Sequence, residues 1–378
     1  MTSTMIQGAV FQGPRRPLVP EELRLDAPGP GEVRVRMVAT GVCHSDLHVV
    51  DGEWARPVDL VLGHEGAGVV EAVGSGVEAR AAGVAPGAGP GVQPGDLVAL
   101  AWTAPCGACG ACRRREDWLC TAPRGGGHRL APDAIRVRRP DGTPVGVYSG
   151  VGTHATGQVV AAEAAIPIDP RTPPDVAALI GCAATTGVGA VRATAGVRAG
   201  ETVVVIGLGG VGLAALMAAV DAGATVFAVD REPDKLALAT QLGAAHALHP
   251  GEMTSVVRLT DGGADHALEC IGLVATAEAA VDLVRPGGAV TLVGMTPQGA
   301  RAAIDVYRFV EDGKRLLGSN YGSAVPARDF PAIAADVVAG RLPLGRLVTG
   351  HIGLEDLDAA LDAMRHRDGA RRVVVFDR

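Results

Sequence analysis

The chain has 378 residues, with 34 Lys and Arg against 41 Asp and Glu and a formal net charge of −7. Its arginines are scattered rather than striped along one face, which excludes the electrostatic footprint of nucleic-acid binding and points to a small-molecule ligand. The length suits two domains, and residues 1–10, MTSTMIQGAV, lack the basic-then-apolar pattern of a secretory signal, so the expected location is the cytoplasm, with the cysteines reduced.

In chain order, the first half to about residue 165 carries short β-branched runs, Glu32–Val38, Gly68–Val73 and Leu97–Leu100, between glycine and proline turns. That pattern predicts a β-rich domain. Residues 79–91, ARAAGVAPGAGPG, are low in complexity and read as a flexible surface loop. The stretch 123–147 is basic and polar, either a solvated loop or a dock for a charged substrate tail. From about 169 to 325, strands at Thr202–Ile206, Thr225–Val229 and Ala289–Val293 alternate with helices at Val211–Ala222 and Lys235–Leu242, and the turn Pro286-Gly287-Gly288 precedes the last strand. This alternation predicts an α/β layer with a parallel sheet. The tail from about 326 returns to an amphipathic helix, Leu354–Met364, and a closing strand, Arg371–Phe376, expected to pack back on the first domain. The expected division is therefore 1–168, 169–325 and 326–378.

The apolar run Val203–Val220 approaches the length of a membrane span. Glycines 207, 209, 210 and 212 interrupt it, with β-branched residues before and helix formers after. It reads as strand, glycine turn and helix, and no membrane partner is expected.

The segment CGACGACRRREDWLC places Cys106, Cys109, Cys112 and Cys120 at spacings C-x2-C-x2-C-x7-C. Two-residue gaps let successive thiolates converge on one tetrahedral ion, and the longer gap returns the chain for the fourth, which points to structural zinc. Iron–sulfur proteins share the C-x2-C-x2-C run, but here no Pro follows the last cysteine and no second cluster run exists.

Gly207, Gly209, Gly210 and Gly212 lie in GLGGVG, a GxGxxG string between the predicted strand and helix. Such glycines allow a tight turn, close approach of a pyrophosphate and helix–strand packing, while the helix N-terminus offers N–H donors. The next strand ends at Asp230, where a carboxylate takes the adenosine ribose hydroxyls and repels a 2′-phosphate. NAD(H) is expected over NADP(H), with Arg231 as a solvated loop charge.

Six segments, GVCHSDLH at 41–48, GHEGAGVVEAVGSGV at 63–77, the four-cysteine lobe, GCAATTGVGA at 181–190, GLGGVG at 207–212 and ECIG at 269–272, together resemble the zinc-dependent medium-chain alcohol dehydrogenases. The resemblance covers nearly the whole chain and is nearest to the long-chain branch of classical alcohol dehydrogenases and thiol-dependent formaldehyde dehydrogenases. It implies a GroES-like catalytic domain with a Rossmann domain, two zinc ions per subunit, NAD(H), and a homodimer or homotetramer.

The same resemblance makes Cys43, His64 and Cys182 the ligands of a catalytic zinc, with Glu65 beside it and Asp46 orienting His64. It makes Ser45 the acceptor of the substrate proton and His48 the relay to water. His44 stands where many relatives carry Arg on the pyrophosphate, so a His44→Arg variant is expected to bind NADH more tightly. Lys235 matches a contact to the adenosine ribose and Arg371 a contact to the pyrophosphate. Trp54, Trp102 and Met295 match positions that line the substrate cleft, a flat channel suited to aromatic or allylic alcohols. The implied activity is reversible hydride transfer between a primary or secondary alcohol and NAD+. Thiol-dependent oxidation of an S-hydroxymethyl adduct, turnover of a natural-product intermediate, and a non-catalytic zinc- and nucleotide-binding role are the alternatives.

Overall fold

The computed structural model describes residues 3–77, 91–121, 135–366 and 369–376, and every count below refers to these. The chain divides into two compact units, Met1–Cys182 with Val325–Gly340 and Leu344–Arg378, and Ala183–Ala324 with Arg341–Pro343.

In the first unit, strands β1 (Thr4–Phe11), β2 (Pro20–Leu25), β4 (Leu60–Val61), β7 (Val137–Arg138) and β8 (Pro144–Val147) close a small barrel in the order β1-β2-β7-β8-β4. A seven-stranded sheet adjoins it, made of β3 (Glu32–Gly41), β5 (Gly66–Val73), β6 (Leu97–Leu100), β9 (Gly157–Ala161), β10 (Ala165–Pro167), β17 (Val348–Ile352) and β18 (Arg371–Val375). Along Glu32–Gly41, Val33, Val35 and Met37 point inward while Arg34 and Arg36 reach Glu71, the alternation of a half-buried strand. The closing strand β18 pairs antiparallel with β3, Val373 facing Gly41. Thus β18 lies beside the segment that leads into Cys43.

In the second unit, β11 (Thr202–Ile206), β12 (Thr225–Val229), β13 (His246–Leu248), β14 (Ala264–Glu269), β15 (Val284–Leu292) and β16 (Arg315–Gly318) form a parallel sheet in the order β13-β12-β11-β14-β15-β16. Val203, Val204 and Val205 are fully buried on both faces, as parallel strands covered by helices require. The strand expected at Ala289 begins earlier, at Val284, because Val284 already pairs with Ala264. The register slips at Pro286-Gly287-Gly288 and resumes with Ala289 opposite His266. The helix expected at Leu354–Met364 starts as one 3-10 turn, Leu354–Asp356, and becomes α-helical at Leu357–Arg365.

A helical run at Pro174–Ala195 escaped the sequence reading. Its apolar residues show no single stripe, and glycines 181, 187 and 189 lower its intrinsic propensity. The glycines instead serve contact: a Cβ at Gly187 would strike the helix Gly210–Asp221 at Val211 O, and one at Gly189 would strike Gly322. The run is long and apolar enough to cross a membrane by composition, yet 72% of it is buried inside the protein, as in a core helix.

Candidate functional site

Cys43, His64 and Cys182 come together in the first unit although 139 positions separate the first from the last, their ligand atoms all within 4.8 Å of one another. Cys43 caps a short helix, His44–Val50, and the Asp46 carboxylate reaches back to accept the Cys43 N–H at 3.1 Å. The Asp46 N–H in turn donates to Cys43 O at 3.0 Å, so purely local sequence fixes the backbone at Cys43. Gly63, at φ +86, lets the chain turn tightly beside His154 just before His64. Cys182 sits in a turn of the long helix that widens to π geometry at Ile180–Ala184, a distortion common at functional positions. Its neighbour Gly181 lies so close to Leu100 O that a Cβ would not fit.

Asp46 is fully buried, with one oxygen 3.2 Å from His64 Nδ1 and the other 3.6 Å from His154 Nε2. Burial alone would raise its carboxyl, but the two histidines hold it well below the usual carboxylate range. With Nδ1 engaged, His64 Nε2 is buried and has no hydrogen-bond partner. A buried imidazole nitrogen left unpaired is costly. It lies beside two thiols, of which Cys43 is acidified by the hydrogen bond from Cys182 and by the Arg371 guanidinium. Two soft sulfurs and one imidazole fit zinc, and three protein ligands leave the fourth tetrahedral position to an outside oxygen.

Ser45 Oγ is 3.9 Å from Cys43 Sγ. His48 lies one helical turn from His44, hydrogen-bonded to Glu53 through Nδ1 at 2.5 Å and stacked on Trp54 at 4.6 Å between ring centres. Its side chain is 25% exposed, so the ring touches both protein and solvent. His44 is exposed at the helix start, with its ring 6.4 Å from that of His48.

Glu65 is fully buried, 3.6 Å from Arg371 Nε. Arg371, matched by resemblance to the pyrophosphate, is 4% exposed and donates to Val42 O at 2.8 Å, so the structure groups it with the metal-ligand cluster. Trp54 and Trp102 pack against different core clusters of the first unit, whereas Met295 belongs to the second and is 62% exposed. These three are not brought together within one unit.

Cys106, Cys109, Cys112 and Cys120 also place their sulfurs within 4.8 Å of one another. Backbone N–H groups of Cys106, Cys109 and Cys112 point at sulfurs of Cys120, Cys106 and Cys109 over 3.3 to 3.5 Å. Such donors favour thiolates: Cys109 is lowered to about 6, chiefly by the Cys112 N–H, while burial pushes Cys112 up to about 12. The loop fits a closed four-sulfur zinc site.

In the second unit the glycine turn joins β11 to the helix Gly210–Asp221. Gly207 adopts φ +91, and a Cβ on Gly212 would overlap Gly207 O, so both are required by the fold. A Cβ on Gly209 would meet nothing within 4 Å. Gly210 opens the helix, whose free N–H groups face the turn. Asp230 accepts the Leu208 N–H at 2.7 Å and the Glu232 N–H at 3.0 Å, tying the acid to the turn it follows. Lys235 stands half-buried in the first turn of the helix Pro233–Gln241. Open space at Gly209, a helix start and an acid at the strand end together fit a dinucleotide.

Sequence reasoning missed Tyr148, whose buried ring meets His64 edge-on at 5.6 Å, and His154 with Thr40 and Thr153 behind Asp46. None of these carries a spacing signal, because a buried aromatic or threonine looks the same in sequence wherever it packs. The basic stretch 123–147 falls partly outside the described residues. Its described arginines are paired, Arg136 with Glu32, Arg138 with Asp26, and Arg139 with Glu21 and Asp59. Of the loop 79–91, all but the last residue lies outside the described residues.

Comparison with known proteins matches residues 29–170 to the alcohol dehydrogenase GroES-like domain and residues 210–339 to the zinc-binding dehydrogenase family. An S-(hydroxymethyl)glutathione dehydrogenase of Photobacterium damsela subsp. piscicida is 34% identical over 98% of this chain and 99% of its own. The structure superposes on an alcohol dehydrogenase zinc-binding domain protein from Burkholderia ambifaria with a TM-score of 0.91, 32% identity and full coverage of both chains. Benzyl alcohol dehydrogenase from Acinetobacter calcoaceticus gives 0.90 at 28% identity, covering 99% of this chain and 100% of that one.

Proposed function

Because the chain belongs to the zinc-dependent medium-chain alcohol dehydrogenases, we propose that it interconverts a primary or secondary alcohol with its aldehyde or ketone at the Cys43, His64 and Cys182 cluster. The observation that carries this assignment of the site is the buried, unpartnered Nε2 of His64 beside two thiols. Zinc held by these three residues would supply Lewis acidity toward a substrate oxygen, and a bound nicotinamide would accept or return the hydride. Asp46 holds His64 in the tautomer that presents Nε2. The Ser45 hydroxyl, next to Cys43, takes the substrate proton, and His48, a quarter exposed to solvent, passes it outward. Asp230 disfavours a 2′-phosphate by charge, so NAD(H) is the preferred dinucleotide.

The 34% identical relative bearing the name S-(hydroxymethyl)glutathione dehydrogenase supports a second reading, oxidation of a thiol–formaldehyde adduct. None of the seven cysteines forms a disulfide, which agrees with a reducing cytoplasm. β16 is an edge strand of its sheet, and Val306, Tyr307 and Val310 just before it are 65%, 73% and 71% exposed, which supports self-association into a homodimer or homotetramer.

The test is NADH formation by zinc-replete protein with NAD+ and aliphatic, allylic and benzylic alcohols, plus formaldehyde with and without a low-molecular-weight thiol. Turnover of alcohols that a chelator and Cys43→Ala both abolish is the expected result. Turnover of formaldehyde only with thiol would select the second reading, and silence across the panel would defeat both.

A further inference from the structure

Arg136, Arg138 and Arg139 are each paired with carboxylates, whereas Arg56 forms no ion pair among the described residues. Its Nη1 donates to the neighbouring Ala55 O at 2.8 Å, and its Nε is buried without a partner. The guanidinium carbon lies 5.9 Å from the centre of the Tyr148 ring, and that ring lies edge-on to His64 with 5.6 Å between centres. A permanently charged group with a buried, unmet donor is therefore stationed one aromatic ring away from the metal-ligand cluster. Stacking on an aromatic face stabilises it in part, but the ring offers no acceptor for the fork of N–H groups. The guanidinium fork matches the two oxygens of a carboxylate in two-point geometry.

We propose that Arg56 is a specificity-determining residue that binds the carboxylate of the substrate, so that the preferred alcohol carries an anionic group about one aromatic ring from its hydroxyl. This rests on the assignment of the Cys43, His64 and Cys182 cluster as the reacting site. Trp54, two residues earlier, stacks on His48 and would flank such a substrate without supplying charge.

The experiment compares 4-(hydroxymethyl)benzoate with benzyl alcohol on the zinc-loaded enzyme, wild type, Arg56→Met and Arg56→Lys. Both kcat/KM and calorimetric binding are measured, and melting temperature checks that the variants remain folded. The expected result is an advantage of the carboxylate of about tenfold or more in wild type, lost in Arg56→Met and partly restored by Arg56→Lys. An equal preference in wild type, or an unchanged ratio in Arg56→Met, would overturn the proposal. Calorimetry needs no turnover, so absence of dehydrogenation counts against the site assignment while the binding ratio still decides the role of Arg56.

Discussion

Asp46 lies 3.2 Å from Nδ1 of His64, and both side chains are buried. The same carboxylate accepts the N–H of Cys43 at 3.1 Å, so one acid orients two members of the metal-ligand cluster. Replacing it with Asn keeps the volume and removes the charge. Asp46→Asn is expected to weaken zinc retention at this cluster by about 10- to 100-fold, read by competition with a chromophoric chelator. Retention equal to wild type would show that His64 needs no such partner.

Two glycines of the dinucleotide turn predict opposite outcomes. Gly212→Ala places a methyl group on Gly207 O, an overlap with backbone that costs about 1–3 kcal/mol and lowers the melting temperature. Gly209→Ala meets nothing within 4 Å, so stability stays near wild type while NADH binding, followed by fluorescence, weakens by about tenfold through loss of close approach. Equal effects of both on stability would mean that the space at Gly209 is not kept for a ligand.

Cys112→Ala removes one of four sulfurs that lie within 4.8 Å of one another. Bound zinc measured by atomic absorption is expected to fall from about two per chain toward one, with faster proteolysis between Cys106 and Cys120. The remaining zinc should still resist removal as in wild type. An unchanged metal content would exclude zinc from this loop.

Asp265 gives a pH signature independent of metal. Burial would raise its carboxyl, but the Thr202 N–H at 2.7 Å and the Arg285 guanidinium lower it below 3.8. A depressed folded value contributes stability that is present above the unfolded value and is lost as pH falls toward the folded one. Asp265→Asn should therefore melt below wild type at neutral pH, with the gap narrowing below about pH 4. A gap that is constant with pH would assign the effect to lost packing alone.

The sequence by itself determined the elements whose signal is local. GLGGVG follows a β-branched strand and opens a helix, so the phosphate-type turn and its sheet were legible from composition and spacing. The four cysteines within one short segment converge by chain geometry, which any spacing rule captures. Cys43, Ser45, Asp46 and His48 share one helical turn and its cap, and that too is encoded nearby.

Only the tertiary structure decided what distant chain segments bring together. Cys182 meets Cys43 because a glycine-bearing, apolar helix without amphipathic stripe packs against β6 and widens at Ile180–Ala184, none of which has a periodic sequence signature. Arg371 turned inward to Glu65 because β18 pairs with β3, a long-range register that propensity does not contain. Tyr148 meets His64, His154 meets Asp46 and Arg56 meets Tyr148 for the same reason: their roles follow from which surfaces the fold buries against one another, and burial is a property of the whole chain.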